Sequence, residues 1–162
     1  MVDVGSVGDM TDKSVFTDDE WTSVVEGPTS AGFLVVTASP GGMFRETFAM
    51  SKAYAEARAA HGASELLDAV VSSKPKVDRT HHGSVDEQRV AALAHVREAV
   101  GLVALKATPE EVGDYRRFVL TLAEKVAAAH REGGQDVSSP EAKAIEEIRD
   151  ALGAGSDQGA AG

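Results

Sequence analysis

Cysteine is absent from the chain, which excludes disulfides, thiolate metal sites and a cysteine nucleophile, and agrees with a reducing compartment. Long apolar runs are absent too. No stretch approaches the ~18 to 20 uncharged residues that span a bilayer, and the start, MVDVGSVGDMTDKS, has neither a basic nor an apolar leader region. The expectation is a cytoplasmic protein without membrane insertion. Basic charge is scarce: 16 Lys and Arg face 26 Asp and Glu, a net charge of −10, which argues against duplex nucleic acid or an anionic membrane as partner. Phosphate-loop patterns of the GxxxxGK[ST] or GxGxxG type are missing, as is a pair of histidines four apart with a glutamate between them.

What remains is a chain of 162 residues, a length that suits one compact domain. Half of the charge imbalance lies in residues 1–20, where Asp3, Asp9, Asp12, Asp18, Asp19 and Glu20 face only Lys13. Residues 1–15 read as a solvated acidic tail. The other end, GAGSDQGAAG, has nothing to anchor in a core. The boundaries are thus an acidic tail at 1–15, a folded domain at 16–153 and a second tail at 154–162.

Helix starts are legible. Thr17 with Glu20, Ser84 with Glu87, and Thr108 with Glu111 fit the capping box, in which hydroxyl and carboxylate satisfy the orphan N–H groups of a first turn. A fourth start is Ser138-Ser139-Pro140-Glu141, where proline suits the first turn. After Thr108, the residues Tyr115, Phe118, Val119, Leu122 and Val126 recur at three and four and form one buried stripe. After Ser139, the stripe is Ile145, Ile148 and Leu152, with Lys143 and Glu147 as an i,i+4 pair and Gly153 placed to end the helix. After Ser84, Leu93, Val96, Val100 and Val103 line one face, but AVGLVAL at 99–105 is apolar all round. That segment is expected to be central and enclosed, with Gly101 admitting a close neighbour.

Earlier in the chain, Met43, Thr47, Met50 and Tyr54, beside Phe44, Phe48 and Ala55, give a helix over about 43–60 that Gly62 stops, and 64–73 gives a short one. The run AGFLVVTA at 31–38, set between Pro28 and Pro40, suits a buried strand or a buried helix. No second strand exists to pair with it, so helix is the reading. Alanine blocks such as AYAEARAA and VAAAH add helix propensity and allow close packing. The fold class is all-α, a single-domain bundle of six or seven helices.

The densest polar cluster is KPKVDRTHHGSVDE at 74–87. Asp78, His81, His82, Asp86 and Glu87 are all types that ligate zinc or manganese, while Lys74, Lys76 and Arg79, with His81 and His82, make the only local basic patch, a candidate surface for an acidic partner. A solvated linker ending in the Ser84 cap is the plainer reading. His61 and His130 fall near helix ends, where an imidazolium meets the negative end of the dipole, and His95 is isolated. Trp21 is read as core, with a partner-anchoring role as the alternative. Each hydroxyl near a carboxylate is explained as a cap, so no nucleophile and base are nominated and no enzyme is expected.

The blocks FTDDEW at 16–21, EGPTSAGFLVVTASPGG at 26–42, KATPEEVGDYRRFVLTLAEKVAAAHREGG at 106–134 and VSSPEAKAIEEIRDALG at 137–153 resemble a family of small bacterial helical proteins with no assigned activity. Relatives commonly carry a Gly/Phe-rich insert after the EGG element, where this chain has only Gln135 and Asp136 before Val137. More distantly, a helix, a glycine turn, an apolar residue and a glutamate opening the next helix are similar to the tellurite-resistance TerB-like fold. Gly41-Gly42-Met43 with Glu46, and Gly133-Gly134 with Val137 and Glu141, occupy comparable places. The resemblance implies a pseudo-symmetric bundle and a divalent-cation site at the second turn. Both turns lack that fold's Asp, and Glu132 or Asp136, with Glu141, would supply the ligands at the second. It also implies a stress-response or envelope-associated setting.

The expected function is therefore a partner-binding or scaffold module without a cofactor, acting on a protein partner and open to homodimerisation. The alternative is divalent-cation binding.

Overall fold

A computed structural model describes residues 13–38, 43–60, 64–73, 83–132 and 139–161. Six α-helices account for almost all of them, and no strand occurs among the described residues. After a 3-10 turn at Lys13–Val15 come α1 (Asp18–Ala38), α2 (Met43–Ala59), α3 (Glu65–Ser72), α4 (Val85–Lys106), α5 (Pro109–Glu132) and α6 (Ser139–Ala161). The all-α expectation holds, and 31–38 is helix, continuous with everything from Asp18 onward.

Local chemistry starts these helices where the sequence marks them. The Thr17 N–H donates to Glu20 Oε1 at 2.9 Å and the Glu20 N–H to Thr17 Oγ1 at 3.1 Å. Thr108 and Glu111 exchange the same two bonds at 3.1 and 3.2 Å. Ser84 Oγ accepts from the Glu87 N–H, and Ser64 Oγ, a cap the spacing did not flag, accepts from the Leu67 N–H.

The central helix is α1, which touches every other helix. Its Trp21, Val24, Val25, Leu34, Val35 and Val36 are buried, and Gly27 through Gly32 are buried as well, the pattern of a helix enclosed on nearly all sides. α4 is its most extensive neighbour, α5 packs on both α1 and α2, α6 lies against α4 and α1, and α3 closes over α2 and α5. Phe16 and Trp21 pack with their rings tilted at 43° and their centroids 5.6 Å apart. Lys106 ties the end of α4 to this corner, donating to the Val15 carbonyl at 3.0 Å and to Glu20 Oε1 at 2.8 Å. Contacts to the bundle thus reach back to Val15, within the stretch read as a tail; residues 1–12 of that stretch lie outside the described residues.

Four expectations are corrected. AVGLVAL is not enclosed: Gly101, Ala104 and Leu105 face solvent, Leu105 at 80% exposure. Alanine and glycine read as apolar yet bury little area, so they do not force a face inward. The close approach falls at Gly27, not Gly101. A Cβ on Gly27 would collide with the Tyr115 hydroxyl and sit 2.7 Å from Ala99 Cβ, whereas one on Gly101 would meet nothing within 4 Å. Glu147 pairs with Arg89 of α4, not with Lys143, because the packing of α6 on α4 brings a guanidinium to it. Finally, Gly153 does not end α6, whose backbone continues to Ala161; glycine weakens a helix but, unlike proline, removes no hydrogen bond.

Most of α5 behaves as its spacing requires. Tyr115, Phe118, Val119, Leu122 and Val126 are all buried. In α2, Tyr54 is buried and Met50 half-buried, while Phe48 and Ala55 are exposed.

Candidate functional site

Most of the residues nominated for chemistry lie outside the described residues: Lys74, Lys76, Asp78, Arg79, His81, His82 and Asp136, together with the side chain of Glu132. Asp86 and Glu87 are exposed at the first turn of α4. Among the described residues, no three His, Asp or Glu side chains gather where one cation could be held. Glu141 is fully buried at the first turn of α6. It follows Ser138 by three positions, the spacing that also separates Thr17 from Glu20, Ser84 from Glu87 and Thr108 from Glu111. Glu111 shows that such a carboxylate can be buried, at 6% exposure, while capping its own helix. His95 Nδ1 stands 3.9 Å from Glu26 Oε1, half-buried between α4 and α1.

Two features remain. The first is the solvent face of α4. At 3.6 residues per turn, Val90, Ala94, Arg97, Gly101 and Ala104 follow one another at four and three along one side, with Leu105 beside them. All are exposed, Val90 at 61%. From Val90 to Leu105 the line runs about 22 Å. At its start, Asp86, Glu87, Val90, Ala91 and Ala94 bound a shallow hollow of about 310 Å³. Arg97 and Glu98, both exposed near the middle, pair with no other described residue.

The second is a cleft of about 340 Å³ between α2, α3 and α5. Ala53, Ala57, Leu67 and Phe118 give it an apolar floor. Its rim carries charges already matched in pairs: Lys125 donates to Glu56 across α5 and α2, and Arg117 to Asp114 at 2.9 Å. The Lys125 ammonium holds the Glu56 carboxyl below the usual carboxylate range. Beneath the floor, Tyr54 meets Phe118 edge-on at 5.3 Å. The Tyr54 hydroxyl is buried without a hydrogen-bond partner among the described residues, and burial raises its pKa above the ordinary phenol range.

The class that fold and surface define is an all-α bundle in which one helix presents a partly apolar face. Beyond that, no family model matches the chain, and neither a curated protein nor a solved structure matches it. The TerB-like resemblance gains no support from these comparisons.

Proposed function

We propose that this chain is a non-enzymatic module that binds a protein partner through the solvent face of α4, the partner contributing an amphipathic helix with Lys or Arg at one end. The observation that supports this is the exposed line Val90, Ala94, Arg97, Gly101 and Ala104 with Leu105 beside it, apolar or small at every position but Arg97. Its small residues let a second helix approach closely, and its two large apolar side chains gain from being covered, each by roughly 1.5–3 kcal/mol. Asp86 and Glu87 border the hollow at one end, and the whole chain carries −10, so a basic helix end is favoured there and is steered toward it over about a Debye length.

The test is fluorescence anisotropy with two labelled helical peptides that share one leucine stripe, one bearing lysines and the other glutamates. The lysine peptide should bind and should weaken with added salt. Leu105→Glu or Val90→Glu should reduce its affinity by roughly tenfold or more with little change in melting temperature, since both side chains already face water. Equal binding by wild type and both variants would remove the reading. A concentration-dependent dimer that Leu105→Glu abolishes would instead place a second copy of the chain on this face.

A further inference from the structure

The cleft between α2, α3 and α5 is independent of the α4 face, and its lining specifies a different kind of ligand. We infer that it binds a small, neutral, largely apolar molecule carrying one hydrogen-bonding group, the apolar body resting on Phe118 and the polar group on the Thr121 hydroxyl. The cleft volume of about 340 Å³ falls at the small end of the range for ligand sites, about 300–1,000 Å³. The space exists because Ala53 and Ala57 of α2, and Ala60 just past its end, line it, positions at i, i+4 and i+7 where larger side chains would fill the gap.

Charge decides the class. Glu56 is engaged by Lys125 and Asp114 by Arg117, and Asp68 also interacts within the protein. A charged ligand would have to compete with pairs already made, whereas a neutral one leaves them intact. Thr121 supplies the polar point. Thr22, Thr29 and Thr37 each donate to a carbonyl of their own helix at 3.0 Å. Thr121, half-buried and lining the cleft, makes no hydrogen bond to any described residue, so its hydroxyl is available to a ligand.

Three probes with the same ring separate the possibilities: p-cresol, benzoate and benzylamine, the last two charged at neutral pH. In saturation-transfer NMR on the full chain, p-cresol should receive magnetisation and the charged probes much less. Thr121→Val should weaken p-cresol binding roughly five- to tenfold. Ala57→Leu should abolish it by filling the cleft; Ala60→Leu, at the exposed end, does the same if Ala57→Leu disturbs folding. Leu105→Glu should leave it unchanged, which separates this site from partner binding on α4. No transfer to p-cresol, transfer that survives both filling variants, or preference for a charged probe would overturn the inference.

Discussion

The Tyr115 hydroxyl donates a 2.6 Å hydrogen bond to the Val24 carbonyl, and Val24 lies four residues before Pro28, which has no N–H to offer it. A proline inside a helix costs about 3 kcal/mol, part of it from the missing backbone bond. α1 is the central helix, so the orphaned carbonyl is beyond the reach of water. Tyr115 meets it from α5, is itself 1% exposed, and remains a protonated donor because burial raises its pKa well above the ordinary phenol value. Gly27 keeps the space open, since a Cβ there would strike the same hydroxyl.

This relationship makes the effect of Tyr115→Phe depend on residue 28. In the wild-type background the loss of the hydroxyl should cost about 1–3 kcal/mol, the penalty of a buried unsatisfied carbonyl. In a Pro28→Ala background the alanine N–H can take the Val24 carbonyl, and the cost should fall below about 1 kcal/mol. Urea unfolding of the four proteins measures the coupling. Equal costs in both backgrounds would show that the hydroxyl does not substitute for the missing N–H.

Glycine substitutions should take opposite signs at two helical sites. Gly27→Ala forces the new methyl onto Tyr115 and to 2.7 Å from Ala99 Cβ; overpacking of this kind costs about 1–3 kcal/mol. Gly101→Ala points into open space and should stabilise by about 0.5–1 kcal/mol through helix propensity alone. Thermal melts of the pair check both. Destabilisation by Gly101→Ala would mean that the α4 face is already covered in solution.

Three of the helix starts were legible because the capping pattern fits within four residues: Thr17 and Thr108 close both bonds with their glutamates, Ser84 makes the one from the Glu87 N–H, and none needs knowledge of the rest of the fold. The α5 stripe was legible for a similar reason, since Tyr115 to Val126 report their own periodicity. Contacts between distant residues were not. Tyr115 and Val24 are 91 positions apart, so nothing near Pro28 announces why a proline is tolerated there. The α4 face was hidden by its composition, because alanine and glycine score as apolar whichever way they point. The cleft was illegible in a stronger sense: alanines on α2 mean close packing in one arrangement and empty space in another, and only the placement of Leu67 and Phe118 on α3 and α5 decides.

Acid should weaken the corner where the chain enters α1. A hydrogen bond from Lys106, and next the Thr17 N–H, hold the Glu20 carboxyl below its usual range. A depressed folded-state pKa contributes stability that is present above the unfolded value and lost as pH falls through the folded one. Melting temperature should therefore drop between roughly pH 5 and pH 3, and the drop should be smaller in Glu20→Gln, which has already lost the interaction at neutral pH. The ion pair is solvent-facing, so about 0.5 M salt should shrink the difference between the two proteins. A Glu20→Gln profile parallel to wild type across that range would mean that other carboxylates carry the acid transition.

Glu141 separates a capping role from a cation site. A ligand present at a hundred times its Kd stabilises the state it binds by about 2.7 kcal/mol, which shifts the melting temperature of a domain this size by several degrees. If Glu141 serves the first turn of α6, calcium, manganese and zinc should each leave the melting temperature within about 1 °C of its starting value, well under that shift. Glu141→Gln keeps an acceptor oxygen and should cost less than Glu141→Ala, whose loss should lie near the 0.5–2 kcal/mol typical of a helix cap. A cation that raises the melting temperature of wild type by several degrees, and fails to do so in Glu141→Gln, would make this carboxylate a ligand and restore the cation reading of the Gly133-Gly134 turn.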